Sequence, residues 1–205
     1  MEINLWFKKS ESKISWGSKL MKTTVNEPTP HYVFGIDPAF GGTGIALFQN
    51  KVLTNVLLLK KTGKKRFETR AHLLSLEVAE WIREQVTSPD NPSVKDVGAP
   101  LIMCEIPAYQ GTPSRSMGWK KGDLQKLTYL VGAMGYACSS TILGHNPTVI
   151  PYYATVTPAG WKGQLSKEIV IERIKKRMPN VVDEFDPYKD IWDAIGIGLW
   201  TIGDF

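Results

Sequence analysis

Four carboxylates in this chain stand where a carboxylate is costly. Asp37 closes the apolar run YVFGID, Glu105 closes LIMCE, and Asp190 and Asp193 interrupt the apolar segment KDIWDAIGIGLWTIG. Burying an ionised carboxyl is unfavourable unless a partner meets it. At i and i+3 the two late aspartates share a helix face, about 5–6 Å apart at Cβ. No Lys or Arg follows them in that helix, and a cation between them removes the repulsion. Four oxygen ligands suit a hard octahedral ion, Mg²⁺ or Mn²⁺, whereas zinc favours His or Cys. The histidines His31, His72 and His145 lie at no zinc spacing and read as surface or core residues. Each acid alone also has a structural reading. Asp37 suits a turn, Asp190 an N-cap and Asp193 the first turn of a helix, while Glu105 suits a partner to a nearby lysine. Together, two strand ends and one helix start bring four acids to one rim of a sheet.

The elements that must position them follow from periodicity. YVFGID (32–37), TGIALF (43–48) and KVLTNVLLLK (51–60) read as three consecutive antiparallel strands, with Gln49-Asn50 as the hairpin turn. Residues 67–86 carry Leu73, Leu74, Val78, Trp81 and Ile82 at helical spacing. LIMCE (101–105) is a buried strand. Asp123 caps a helix on which Leu124, Leu127, Val131 and Met134 share a face, and Gly132 and Gly135 there admit another backbone. PTVIPYY (147–153) reads as a fifth strand, QLSKEIVIERIKKRM as a helix with Ser166 near its start, and residues 189–203 as a last apolar helix. The order βββ-α-β-α-β-α-α predicts an α/β fold, a ribonuclease H-like mixed five-stranded sheet with flanking helices. Residues 1–30, Lys/Ser-rich and ending in NEPTP, read as an appended basic arm before a domain spanning 31–205.

Composition narrows the class. With 205 residues, 42% of them apolar, the chain can bury one real core, and no apolar run approaches a membrane span. The start shows no signal-peptide pattern, and two cysteines, Cys104 and Cys138, make no disulfide framework. The cytoplasm is the expected compartment. The net charge is +5, and its distribution matters more than its size. Lys51, Lys60, Lys61, Lys64, Lys65, Arg66 and Arg70 stand against Glu68 alone, and a second basic cluster includes Arg173, Lys175, Lys176 and Arg177. Solvated faces explain both clusters, and so does a polyanionic partner beside the acids. The long loop after Glu105 carries Tyr109, Arg115, Trp119, Lys120 and Lys121. Alternating aromatic and basic groups suit stacking on an unpaired base while holding its phosphates.

GIDPAFGGTGIALF, IMCEIPAYQG, the GDLQKLTYLVGAMG helix, PAGWKGQLSK and KDIWDAIGIG together resemble the RuvC family of Holliday-junction resolvases, most of all its bacteriophage branch. The resemblance runs from about residue 32 to 202. It implies that Asp37, Glu105, Asp190 and Asp193 match the family's metal-binding tetrad. It also implies that Lys162 and Lys167 match its catalytic basic residues, and that helix 123–138 builds a two-fold dimer. The turn Pro38-Ala39-Phe40-Gly41-Gly42 departs from the family's Pro-Gly and basic residue. Ile106-Pro107 replaces a polar residue, and the arm has no counterpart.

The implied activity is two-metal hydrolysis of a phosphodiester in branched DNA, above all a four-way junction, leaving a 5′-phosphate and a 3′-hydroxyl. Lys162 and Lys167 would neutralise charge on the phosphate. Lys64, Lys65, Arg66, Lys175 and Lys176 would grip flanking duplex, and a homodimer would suit the substrate's two-fold symmetry. Other substrates stay open: flaps, forks or RNA–DNA hybrids. So does a binding module without catalysis. GIDPAFGGTG also resembles the phosphate-cradling hairpin of actin-like ATPases, but those need a second domain and adenosine-binding glycines, so no nucleotide cofactor is expected.

Overall fold

The computed structural model describes residues 30–60, 66–88, 98–107, 123–145, 149–179 and 189–205, without the side chains of His145, Lys189 and Asp190. The arm expected over 1–30 lies outside the described residues except for Pro30. So do Lys61, Lys64, Lys65 and the loop carrying Tyr109, Arg115, Trp119, Lys120 and Lys121.

Strands β1 (Tyr32–Asp37), β2 (Thr43–Gln49) and β3 (Val52–Leu59) form the antiparallel opening. The hairpin turn is one residue later than its sequence pattern suggests. Gln49 pairs with Val52, so Asn50 and Lys51 make the turn, at φ of 50° and 68°. Positive φ at both central positions is the type I′ geometry, whose twist matches that of the flanking strands. Asn tolerates it well, and Lys51 accepts it as the second residue.

Helix α1 (Phe67–Thr87) leads to β4 (Leu101–Glu105), which lies parallel to β1. Helix α2 (Asp123–His145) leads to β5 (Tyr152–Val156), parallel to β4. A single turn α3 (Pro158–Trp161), then α4 (Lys167–Arg177) and α5 (Lys189–Thr201), complete the described elements. The sheet order β3-β2-β1-β4-β5 is the mixed five-stranded, ribonuclease H-like arrangement expected. Two details differ. The fifth strand, expected over 147–153, is observed over Tyr152–Val156; Val149, Ile150 and Pro151 precede it outside the ladder, Pro151 having no N–H to give, and 147–148 lie outside the described residues. Tyr152 N donates to the Pro100 carbonyl at 2.9 Å, and pairing continues to Val156. The turn α3 was not expected from the sequence. Thr157 caps it, with Oγ1 accepting from Gly160 N at 3.1 Å and Pro158 in the first turn.

Side chains alternate across each strand, so the sheet buries two layers. Phe34, Ile36, Ile102 and Cys104 face α1 and α2, whereas Val33, Leu101 and Met103 face α3, α4 and α5. Helix α5 packs unusually close to β1. A Cβ at Gly35 would lie 2.3 Å from the carbonyl oxygen of Ala194, and one at Gly198 would lie 2.2 Å from the Phe48 ring. On the other layer Gly135 makes room for Tyr153, whose hydroxyl donates to the Val131 carbonyl at 2.8 Å. That space is therefore filled from within the chain, while Gly132 meets nothing within 4 Å. Both cysteines are free and buried, and burial pushes both thiols up, away from nucleophilic use.

The contrast between glycines is measurable. Gly35→Ala must move helix backbone and is expected to cost about 3 kcal/mol. Gly144→Ala, in open space on α2, is expected to gain about 0.5 kcal/mol by restricting the unfolded chain. Urea unfolding of the two variants checks both signs.

Candidate active site

Asp37 and Glu105 end neighbouring parallel strands at one level, one residue past the Ile36–Cys104 pair. Alternation places both on the face that α5 covers, since Val33 and Gly35 precede Asp37 there, and Leu101 and Met103 precede Glu105. Asp193 lies on α5 one residue before Ala194, whose carbonyl rests over Gly35. The close helix–sheet contact therefore delivers this carboxylate to the same end of the sheet. Asp190 stands one turn earlier in α5, and its side chain lies outside the described structure.

Asp193 is only 5% exposed. Its partners come from elsewhere: Lys167 Nζ is 2.5 Å from Oδ2 and Lys162 Nζ is 3.7 Å from Oδ1. Lys162 is the C-cap of α3, and Lys167 is the first residue of α4, behind the Ser166 cap. A lysine at a helix start opposes the macrodipole, and the facing carboxylate offsets that. Oδ1 of Asp193 makes no hydrogen bond. Among the described residues no three His, Cys, Asp or Glu side chains are grouped to hold one ion. Of the expected tetrad, then, Asp37, Glu105 and Asp193 share a rim without forming a closed cage.

Glu105 has a partner that the sequence reading missed. Trp161 Nε1 donates to Glu105 Oε2 at 2.6 Å. The motif PAGWKGQLSK points to Lys162 and Lys167, but nothing local in it marks the tryptophan as a partner of Glu105, 56 positions away. Burial pushes the Glu105 carboxyl above its ordinary value. The Trp161 hydrogen bond and Lys162 pull it down, Asp193 raises it further, and Lys167 lowers it.

No protein-family model matches the chain, and no curated protein does. Solved structures do. Thermus thermophilus RuvC is 15% identical, with a TM-score of 0.54 over 82% of this chain and 92% of that one. The T. thermophilus RuvC complex with a Holliday junction substrate is 17% identical, with a TM-score of 0.50 over 82% and 90%. The chain has the RuvC-like fold. A fowlpox virus resolvase in complex with Holliday junction DNA is more distant, 11% identical with a TM-score of 0.42 over 84% and 97%.

In this RuvC-like fold the acid rim suits a hard divalent cation by chemistry: every donor is oxygen, and a buried Asp193 oxygen lacks a hydrogen bond. Of the expected DNA contacts, Arg66 is exposed at the N-cap of α1 and Lys176 is exposed on α4. Lys175 is half-buried, with its ammonium 5.6 Å from the Trp192 ring centroid. A cleft of about 350 Å³ lies at the far end of α4 and α5, with Arg173, Lys176 and Arg177 over Ile174, Leu199 and Phe205. Its lining includes Asp204 but none of Asp37, Glu105 and Asp193.

The raised Glu105 carboxyl has a thermodynamic signature. A carboxyl that titrates higher in the fold than in the unfolded chain favours the fold while protonated. That benefit is complete below the unfolded value, about 4.3, and is lost as pH rises through the folded value. Glu105→Gln keeps an acceptor for Trp161 and removes the charge. Its Tm is expected to exceed that of the wild type at pH 7, with the gap closing as pH falls toward about 4. Calorimetric melts at the two pH values test this, and a gap that widens on acidification contradicts it.

Proposed function

We propose that the chain is a metal-dependent, structure-selective endodeoxyribonuclease that cuts four-way junctions and related branched DNA, leaving a 5′-phosphate and a 3′-hydroxyl. The observation that carries the reading is the gathering of Glu105 and Asp193, from a strand end and a helix start, with Lys162 and Lys167 converging on Asp193. The fold of T. thermophilus RuvC, seen in one structure with a Holliday junction substrate, supports the same choice.

In this reading Asp37, Glu105, Asp190 and Asp193 would hold two Mg²⁺ or Mn²⁺ ions, which would supply Lewis-acid chemistry for phosphodiester hydrolysis there. The chain's own groups do the rest. Lys162 and Lys167 offer ammonium protons to the scissile phosphate as its charge grows. Arg66, Lys175 and Lys176, with Lys64 and Lys65, hold flanking phosphates without reading sequence. Tyr109, with Arg115, Trp119, Lys120 and Lys121, engages the unstacked bases at the crossover. A second copy docks on the outer face of α2. There Tyr129 and Tyr136 are 52% and 78% exposed, and Gly132 leaves an open notch between them.

One observation favours a second reading. The 2.5 Å Lys167–Asp193 pair is also what a branched-DNA-binding module would use to orient a cation toward phosphate. Labelled four-way junction, Y-fork, flap, RNA–DNA hybrid and linear duplex, each with Mg²⁺ and with EDTA, separate the two. Cleavage of the junction in Mg²⁺ alone is expected, and binding without cleavage of any substrate selects the module. Asp193→Asn is expected to bind junction as the wild type does and to lose cleavage in Mg²⁺, and normal turnover removes α5 from the active site. Sedimentation at micromolar concentration is expected to show a dimer that Tyr136→Arg dissociates. A wild-type monomer, both free and junction-bound, removes the paired-nick mechanism.

A further inference from the structure

Trp161 is bound on every side. It is 3% exposed and sits at the end of the single turn α3, which leaves β5 just after the Glu105–Val156 pair. Ile106 N donates to the Val156 carbonyl at 2.8 Å, holding the two strand ends together at this point. A Cβ at Gly196 on α5 would come within 2.5 Å of the Trp161 ring. The Phe205 ring meets it edge-on at 5.5 Å, and the Lys162 ammonium lies 4.9 Å from its centroid. These three contacts leave the indole little freedom, and its one donor, Nε1–H, is aimed at Glu105 Oε2 at 2.6 Å.

Packing alone does not account for that pairing. Trp192, fully buried in the same layer, leaves its own Nε1 without a hydrogen bond, so a tryptophan in this core does not depend on a matched acceptor. A bond from a neutral donor to a carboxylate is short and directional, and it fixes one of two chemically equivalent oxygens.

We propose that Trp161 is the positioning residue of Glu105: by holding Oε2 it leaves Oε1 as the single oxygen that Glu105 presents to a divalent cation. The inference rests on the metal-dependent reading of the rim and adds a specific device to it. A carboxylate held through one oxygen keeps one orientation, with its other oxygen the less encumbered ligand. Partners of this kind, one step removed from the ion, change metal affinity by about 10–100-fold when removed.

The test has two independent arms. In ¹H–¹⁵N spectra of the whole chain, the Trp161 indole resonance is expected to move upfield, and its proton to exchange faster, in Glu105→Ala. A resonance that ignores Glu105→Ala overturns the pairing. In the second arm, Mn²⁺ binding is measured by calorimetry without DNA. Trp161→Phe keeps a ring in the slot and drops the donor, and it is expected to bind Mn²⁺ about tenfold more weakly. In a Glu105→Ala background the same substitution is expected to change nothing more. Equal affinity for wild type and Trp161→Phe overturns the positioning role, as does an undiminished loss in the Glu105→Ala background. A wild-type chain that binds no Mn²⁺ instead overturns the metal-dependent reading, and the indole resonance then decides the pairing by itself.

Discussion

Asp193 is a carboxylate inside an apolar helix packed on a sheet, and among the described residues its charge is met by groups from outside α5. The partners come from the path between β5 and α4: Lys162 at the end of α3 and Lys167 at the start of α4. Removing one partner of such a pair strands a buried charge, at about 3–5 kcal/mol. The route of the chain after β5 is thereby tied to the register of α5. One arrangement both keeps the fold tolerable and concentrates opposite charges at the strand ends.

The same end of the molecule depends on how closely α5 can approach. Glycine in a helix interior costs about 1 kcal/mol relative to alanine, and α5 carries Gly196 and Gly198. The gain is contact. Gly198 admits the Phe48 ring, Gly196 admits Trp161, and Gly35 on β1 lets the helix backbone rest on the strand. Around these contacts Ile191, Trp192, Ile195, Ile197 and Leu199 are buried, each side chain contributing about 1.5–3 kcal/mol. The glycines weaken α5 as an isolated helix and strengthen it as part of the layer. They also set how closely α5, which carries Asp193, lies on β1.

Glu105 shows the opposite tendency. Its burial raises its proton affinity, which works against stability at neutral pH, so the rim holds charge at the expense of the fold. The likeness to T. thermophilus RuvC at 15% identity fits a fold kept by layer geometry and alternation rather than by particular residues. Most core positions need only be apolar and of suitable size.

Local pattern determined a great deal. Alternation and turn residues specified β1 and β4 to the residue, helical spacing specified α1 and α2, and an acid at the end of an apolar run marked Asp37, Glu105 and the start of α5. These are features of short range, carried by neighbours two to four residues apart. What tertiary structure decided involved distant partners. The fifth strand continues past its expected end at 153 to Val156 because β4 pairs with it that far, and α3 exists as a capped turn whose tryptophan folds back over the sheet. Gly135 proved to be space for Tyr153, 18 positions away in the chain. The bond from Trp161 to Glu105 spans 56 positions, and neither residue's neighbours encode it. A donor and an acceptor that far apart meet only after the helix and sheet that carry them have packed, so their pairing belongs to the fold and not to any local run of residues.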